Sequence, residues 1–241
     1  MRFIISVILC LFAISATFAF NFITDKEQIN FDNYSTGAER KQAFISFLTP
    51  VIEKNNRKIL DDRNKLIRLS QKSKLNIREQ RWLNHISQIY NNDSIDPHDN
   101  RLWSSLLDKI DIIPVSLALA QGAKESGWGT SRFAQLANNY FGQWCYSKGC
   151  GLIPNKRQGN ASHEVASYNS VEESVSTYMN NLNTNPAYQK LRDIRAQLRN
   201  SGKVITGEHL AKGLYQYSET GQNYVKELQS LIRNIKLVLS S

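Results

Sequence analysis

A glutamate at the end of a small-residue helix, two positions before a glycine and three before a tryptophan, is the residue here best suited to moving a proton. It is Glu125, in Ile113-Pro114-Val115-Ser116-Leu117-Ala118-Leu119-Ala120-Gln121-Gly122-Ala123-Lys124-Glu125-Ser126-Gly127-Trp128-Gly129. Pro114 suits the first helical position, where its missing N–H costs nothing. The Ala/Leu run that follows propagates a helix. Gly127 ends it, because a left-handed terminal residue is cheapest as glycine. Ala118, Gln121, Gly122 and Glu125 share one face of that helix. The carboxyl therefore projects from a small, uncharged face, at the negative end of the helix dipole, toward an aromatic ring. Each feature disfavours ionisation. A carboxyl kept protonated near neutral pH is what a general acid requires. The competing reading is a glutamate frayed into solvent.

The surrounding pattern decides for chemistry. Ala120-x-x-x-x-Glu125-Ser126-Gly127-Trp128-Gly129-Thr130-Ser131-x-Phe133-Ala134 is followed by Asn138-Asn139-x-Phe141-Gly142. Together they resemble the core motif of the glucosaminidase family, bacterial cell-wall hydrolases of the glycoside hydrolase family 73 type, and within it the Bax-type proteins of proteobacteria. The resemblance runs from about Leu106 to the C-terminus and more weakly through the segment before. It implies a lysozyme-like helical lobe in which Glu125 is the acid.

The chain that must position this motif has 241 residues, 41% of them hydrophobic, enough for one sizeable core with a helical extension. Arg2, the apolar run Phe3 to Ile14, and Thr17-Phe18-Ala19 read as a signal peptide cleaved after Ala19. The alternative is an uncleaved anchor, but the run is short for a membrane span. The net charge is +9, and +8 once Arg2 leaves. A basic exported protein suits an anionic polymer, and export argues against nucleic acid. The cleaved chain keeps Cys145 and Cys150, an even count that favours a disulfide closing a small loop. Neither a metal nor an organic cofactor is expected.

Three segments follow from this reading: a signal peptide (1–19), a helical N-terminal extension (20–100) and a glucosaminidase-like catalytic domain (101–241). In the extension, Phe44, Phe47, Leu48, Val51 and Ile52 recur at helical steps, with Pro50 expected to kink or break the helix. Its other face is dense in Lys and Arg, including Lys54, Lys58, Arg63 and Lys65, and reads as a solvated face rather than a polymer-binding stripe.

Past the Glu125 helix, Asn138-Asn139-Tyr140-Phe141-Gly142-Gln143-Trp144 offers substrate-binding candidates. Trp128, Tyr140 and Trp144 are candidates to stack on sugar rings. Phe141 fits core packing equally well, and the family pattern has leucine where Tyr140 stands. Residues 163–168 suggest one arm of a small β-hairpin across a cleft from Glu125. Glu164 is the sole acid between Glu125 and Glu172, hence the candidate second carboxylate, with an ordinary strand residue as the alternative. Glu173 reads as a helix cap after Ser170. Near the C-terminus, Tyr217 and a Tyr seven residues on match a family segment. The resemblance implies that Tyr217 lines the active site, and its alternative is a buried tyrosine bonded to backbone.

The expectation is thus a mainly α, lysozyme-like lobe with a small β-hairpin lobe and an N-terminal helical extension. It would be an exported glycosidase, periplasmic or secreted, with no stable membrane span after cleavage. It would hydrolyse β-1,4 N-acetylglucosaminyl linkages, in peptidoglycan or another N-acetylglucosamine-containing glycan. A lytic transglycosylase and a non-catalytic wall-binding adaptor are the alternatives.

Overall fold

The computed structural model describes residues 29–35, 37–92, 96–155 and 163–239, so the signal-peptide segment and its cleavage point lie outside the described residues. Among those described, nine α-helices and one small sheet form a mainly α, lysozyme-like fold. The helices are α1 (Ala38–Ser70), α2 (Ile77–Ile89), α3 (Asn100–Lys109), α4 (Val115–Ser126), α5 (Arg132–Ala137), α6 (Val171–Thr184), α7 (Gln189–Asn200), α8 (Gly207–Ala211) and α9 (Gln222–Leu239). None is long and apolar enough to cross a membrane.

The organising element is α4. Nine of its twelve residues are buried, which marks it as a helix enclosed on nearly all sides. Its Ala and Gly residues let α1 and α9 approach closely. A Cβ at Gly122 would sit 3.3 Å from the Phe141 ring and 3.4 Å from that of Phe44. Gly127 terminates the helix with φ 58°, in the left-handed region as expected, while Pro114 caps it from one position earlier than expected.

The extension and the rest of the chain share one core. Phe31, Phe44, Leu48 and Ile52 belong to the same buried cluster as Leu117, Tyr178 and Ile232. Pro50 does not break α1, which continues for 33 residues. Packing of Phe47, Leu48 and Ile52 on the core offsets the one lost backbone hydrogen bond. The basic face of α1 is only partly solvated. Lys54 and Lys58 both reach Glu172 on α6, at 2.6 and 2.5 Å, and Lys65 lies over the Trp82 ring.

The small β lobe is a three-stranded antiparallel sheet. Its central strand β3 (Glu164–Ala166) pairs with β1 (Trp144–Cys145) on one edge and β2 (Gly151–Leu152) on the other. The Cys145–Cys150 disulfide joins the loop between β1 and β2. This loop brings both flanking strands to β3, an arrangement that the alternation pattern of one short strand does not reveal.

Candidate active site

Glu125, in the last turn of α4, lines a cleft of about 780 Å³. The opposite wall is the outer face of α6, with Ser176, Thr177, Asn180 and Asn181. The loop Phe141–Trp144, Tyr146, Tyr168, Tyr188 and Tyr217 complete it. Aromatic faces and amide side chains are the two surfaces that a sugar polymer needs, one for its C–H faces and one for its hydroxyls. Among the described residues of this lining, Glu125 is the one carboxylate. Residues 156–162, outside the description, contain no acid in the sequence.

Burial pushes the Glu125 carboxyl above the usual carboxylate range. The Tyr224 hydroxyl and the Lys124 charge offset that shift only in part. Tyr224 donates to Glu125 Oε1 at 3.0 Å. Gln121 Nε2 donates to the same hydroxyl at 3.1 Å, and Tyr178 donates to Gln121 Oε1 at 2.6 Å. The chain has a direction. Because the Tyr224 oxygen already accepts from Gln121, its own proton points to Oε1. In the protonated form of Glu125 this leaves Oε2 as the oxygen that carries the proton. That oxygen is 3.8 Å from where a Cβ on Gly142 would stand, and Gly142, with φ 65°, lines the cleft. A side chain at 142 would be strained by this backbone conformation and would stand in van der Waals contact with that oxygen.

Tyr224 and Gln121 are residues that the sequence reading passed over. Tyr224 lies 99 residues beyond Glu125. Its signal in the sequence is the spacing of seven from Tyr217. Tyr217 does line the cleft, but its hydroxyl donates to the Phe141 carbonyl at 3.0 Å, and its ring stacks on Tyr224 at 5.6 Å. It holds the Phe141 loop and the Tyr224 ring, and does not touch the acid. We expect Tyr224→Phe to raise the Glu125 pKa further, since the hydrogen bond lost is one that favours the ionised form. Activity that needs the protonated acid would then persist to higher pH. Its maximum would fall about 10- to 100-fold, the worth of a hydrogen bond to a charged group. A pH–rate profile of the variant checks both.

The remaining candidates divide by environment. Trp144 lines the cleft, 58% exposed, and stacks on His163 at 4.1 Å. Phe141 is buried, and its ring lies flat on Tyr178 at 3.8 Å, so it is floor rather than platform. Asn138 ends α5 in a left-handed conformation and donates to the Tyr168 carbonyl. Asn139 is buried, and it ties the loop together by donating to the Gln143 and Ala166 carbonyls and accepting from the Phe141 and Gln143 amides. Neither asparagine is in the cleft lining; both shape the loop that is.

Three expected site residues lie outside this lining. Trp128 does not enter the cleft. Its own φ of 60°, following Gly127, places the ring edge-on against Phe44 of α1. Tyr140 is 1% exposed and packs among Phe31, Phe44 and Phe47, the apolar role of the leucine it replaces. Glu164 is buried, accepts from the Gly149 and Gly151 amides at 3.0 and 2.8 Å, and is absent from the cleft lining. Its carboxylate braces the disulfide loop. Glu164, Cys145 and Cys150 place ligand atoms within 4.8 Å of one another, but the sulfurs are bonded to each other and offer no thiolate to a metal.

The loop matters because Trp144 and Tyr146, respectively 58% and 72% exposed, flank Cys145 at the cleft. Replacing both cysteines by serine should raise KM about 3- to 10-fold and leave kcat nearly unchanged, since the loop positions aromatic platforms and not the acid; a rotamer-rich side chain freed in this way costs about 0.5–1.5 kcal/mol on binding. Steady-state kinetics of the double variant separates the two parameters.

Residues 101–237 match the glucosaminidase family, described as mannosyl-glycoprotein endo-beta-N-acetylglucosaminidase. Over 208 residues, 86% of this chain and 74% of the relative, the sequence is 34% identical to Protein bax of Escherichia coli (strain K12). No solved structure matches the chain. With the family match spanning the acid-bearing helix, the aromatic cleft and α9, the chain belongs to the glucosaminidase family, among its Bax-type proteins.

Proposed function

We propose that this protein is an exported glycosidase that cleaves β-1,4 N-acetylglucosaminyl linkages in peptidoglycan, with Glu125 as general acid. The observation that carries the reading is a half-buried carboxyl, the one acid among the described residues of the cleft lining, hydrogen-bonded by Tyr224 on one oxygen. Glu125 Oε2 gives its proton to the glycosidic oxygen as the C1–O bond breaks, and the departing sugar leaves as an alcohol. Tyr224 steadies the carboxylate that remains. With one acid in the lining, the positive anomeric carbon is met by the substrate's own acetamido oxygen. A water then opens that ring, returning a proton to Glu125. Direct attack by water is the second reading, and the two differ in the anomer first released. The signal-peptide reading of residues 1–19 supports export to the periplasm or beyond.

Product analysis tests this proposal. The mature protein is incubated with purified peptidoglycan, and product masses and reducing ends are determined. New N-acetylglucosamine reducing ends are expected. Anhydro-muramyl ends would make it a lytic transglycosylase, and binding without cleavage would make it an adaptor.

A further inference from the structure

Beside the cleft lies a second cavity of about 440 Å³. Its walls come from α1 and the end of α2 on one side and from α6 on the other. It adjoins the cleft at Ser176 and Asn180, which line both. Asn180 Nδ2 donates to the Ile89 carbonyl at 3.0 Å, which pins α2 to α6 at the junction. The N-terminal extension thereby adds a chamber to the cleft of the glucosaminidase lobe.

Two polar groups in this chamber make no hydrogen bond or close ion pair among the described residues. Tyr90 is 5% exposed and lines the cavity, yet its hydroxyl makes no hydrogen bond among the described residues. Asp62, half-buried, likewise makes neither a hydrogen bond nor a close ion pair among them. Burial pushes its carboxyl upward, with Lys65 and His85 pulling it back and Asp61 adding to the rise. The other acids of the cavity are engaged: Glu172 by Lys54 and Lys58, Glu173 by the Asn169 amide at 2.8 Å. A phenol oxygen and a carboxylate that share one cavity, with no protein hydrogen bond to either among the described residues, are both open to pairing with a ligand there.

The chemistry of that occupant follows. Among the described residues, no three acid, histidine or cysteine ligand atoms of this cavity come within 4.8 Å of one another, so a metal ion lacks its donors. Asp62, the one acid of the lining without a hydrogen bond or ion pair among the described residues, beside a phenol oxygen suits an ammonium group, while Lys58 in the same lining is paired with Glu172. Ile59, Ile86, Ile89 and Met179 supply an apolar wall for the methylenes that would carry it.

We propose that this cavity is a subsite for a primary ammonium on an aliphatic stem, borne by a peptide branch of the glycan in the cleft. The proposal rests on the glycosidase reading and narrows its substrate to branched glycan. Its test compares kcat/KM on glycan strands carrying their peptides with kcat/KM on the same strands stripped by an amidase. The wild type should favour the peptide-bearing strands by about tenfold, the low end of a charge-assisted hydrogen bond. Acetylating the peptide amines, Asp62→Asn and Tyr90→Phe should each bring that ratio toward one. A wild-type ratio of one, or a ratio unmoved in Asp62→Asn, overturns the subsite. If neither strand is cleaved, the glycosidase reading falls by itself. Titration of the free amine-bearing peptide, followed by NMR, then decides the subsite. Shifts at the Ile89 and Asn180 amides that are absent with the N-acetylated peptide support it, and equal or absent shifts overturn it.

Discussion

Replacing Glu125 by Gln is expected to lower the rate of glycan cleavage by about 10²–10⁴-fold, the usual contribution of a positioned general acid. The amide keeps the shape of the carboxyl and can still accept from Tyr224, but it has no proton to give. The same substitution should not weaken the fold. Burial holds the Glu125 carboxyl above its ordinary pKa, so the folded state binds that proton more tightly than the unfolded chain does. A group shifted this way costs nothing below its unfolded pKa and progressively destabilises the fold as pH rises through its folded pKa. At neutral pH the glutamine variant therefore melts at the same temperature or higher. Activity assayed beside thermal denaturation checks both halves. A variant that loses activity and melts lower would mean that Glu125 holds the structure together and is not the acid.

The result separates what local sequence can show from what it cannot. The α4 helix, its glycine stop and the placement of Glu125 in the last turn were all readable, because capping and helix periodicity act within a few residues. The partners of Glu125 were not. Tyr224 and Tyr178 arrive from α9 and α6, and only the fold brings their hydroxyls to Gln121. Gln121 itself looked like one more small-face residue of α4, since a polar side chain on a buried face declares its role only through what it meets. Aromatic residues misled for the same reason. Trp128 and Trp144 have equal claims on a sugar in sequence. One is turned onto α1 by a left-handed backbone, and the other is carried to the cleft by β1. Glu164 shows the limit of reasoning by elimination: being the sole acid in a stretch says nothing about which amides will claim it.

The largest stability effect is expected far from the cleft, at Asp111. This residue stands in the link between α3 and α4, 2% exposed, and accepts from Arg199 Nε and Nη2 at 2.9 and 2.6 Å. Arg63 Nη1 lies 3.6 Å from the same carboxylate. Arg195, fully enclosed, donates to the Asp111 and Ile112 carbonyls and to Asn183 Oδ1. Burial pulls the Arg195 guanidinium down to about 10, so it remains charged at neutral pH and needs a counter-charge. Burial pushes the Asp111 carboxyl up, but Arg199, Arg195 and Arg63 together hold it below its ordinary value. Asp111→Asn keeps the volume and leaves three guanidinium groups around a neutral amide. Breaking a buried pair in this way costs about 3–5 kcal/mol. The pH dependence has a definite sign. A carboxyl depressed in the fold stabilises fully above its unfolded pKa of about 3.9, and that stability is lost as pH falls through the lower folded value. Urea denaturation of wild type and Asp111→Asn at pH 7 and pH 3 should therefore show a gap that narrows in acid. A gap that stays constant would mean that the arginines are held by their backbone carbonyls alone, and that the Asp111 charge contributes nothing to the link leading into α4.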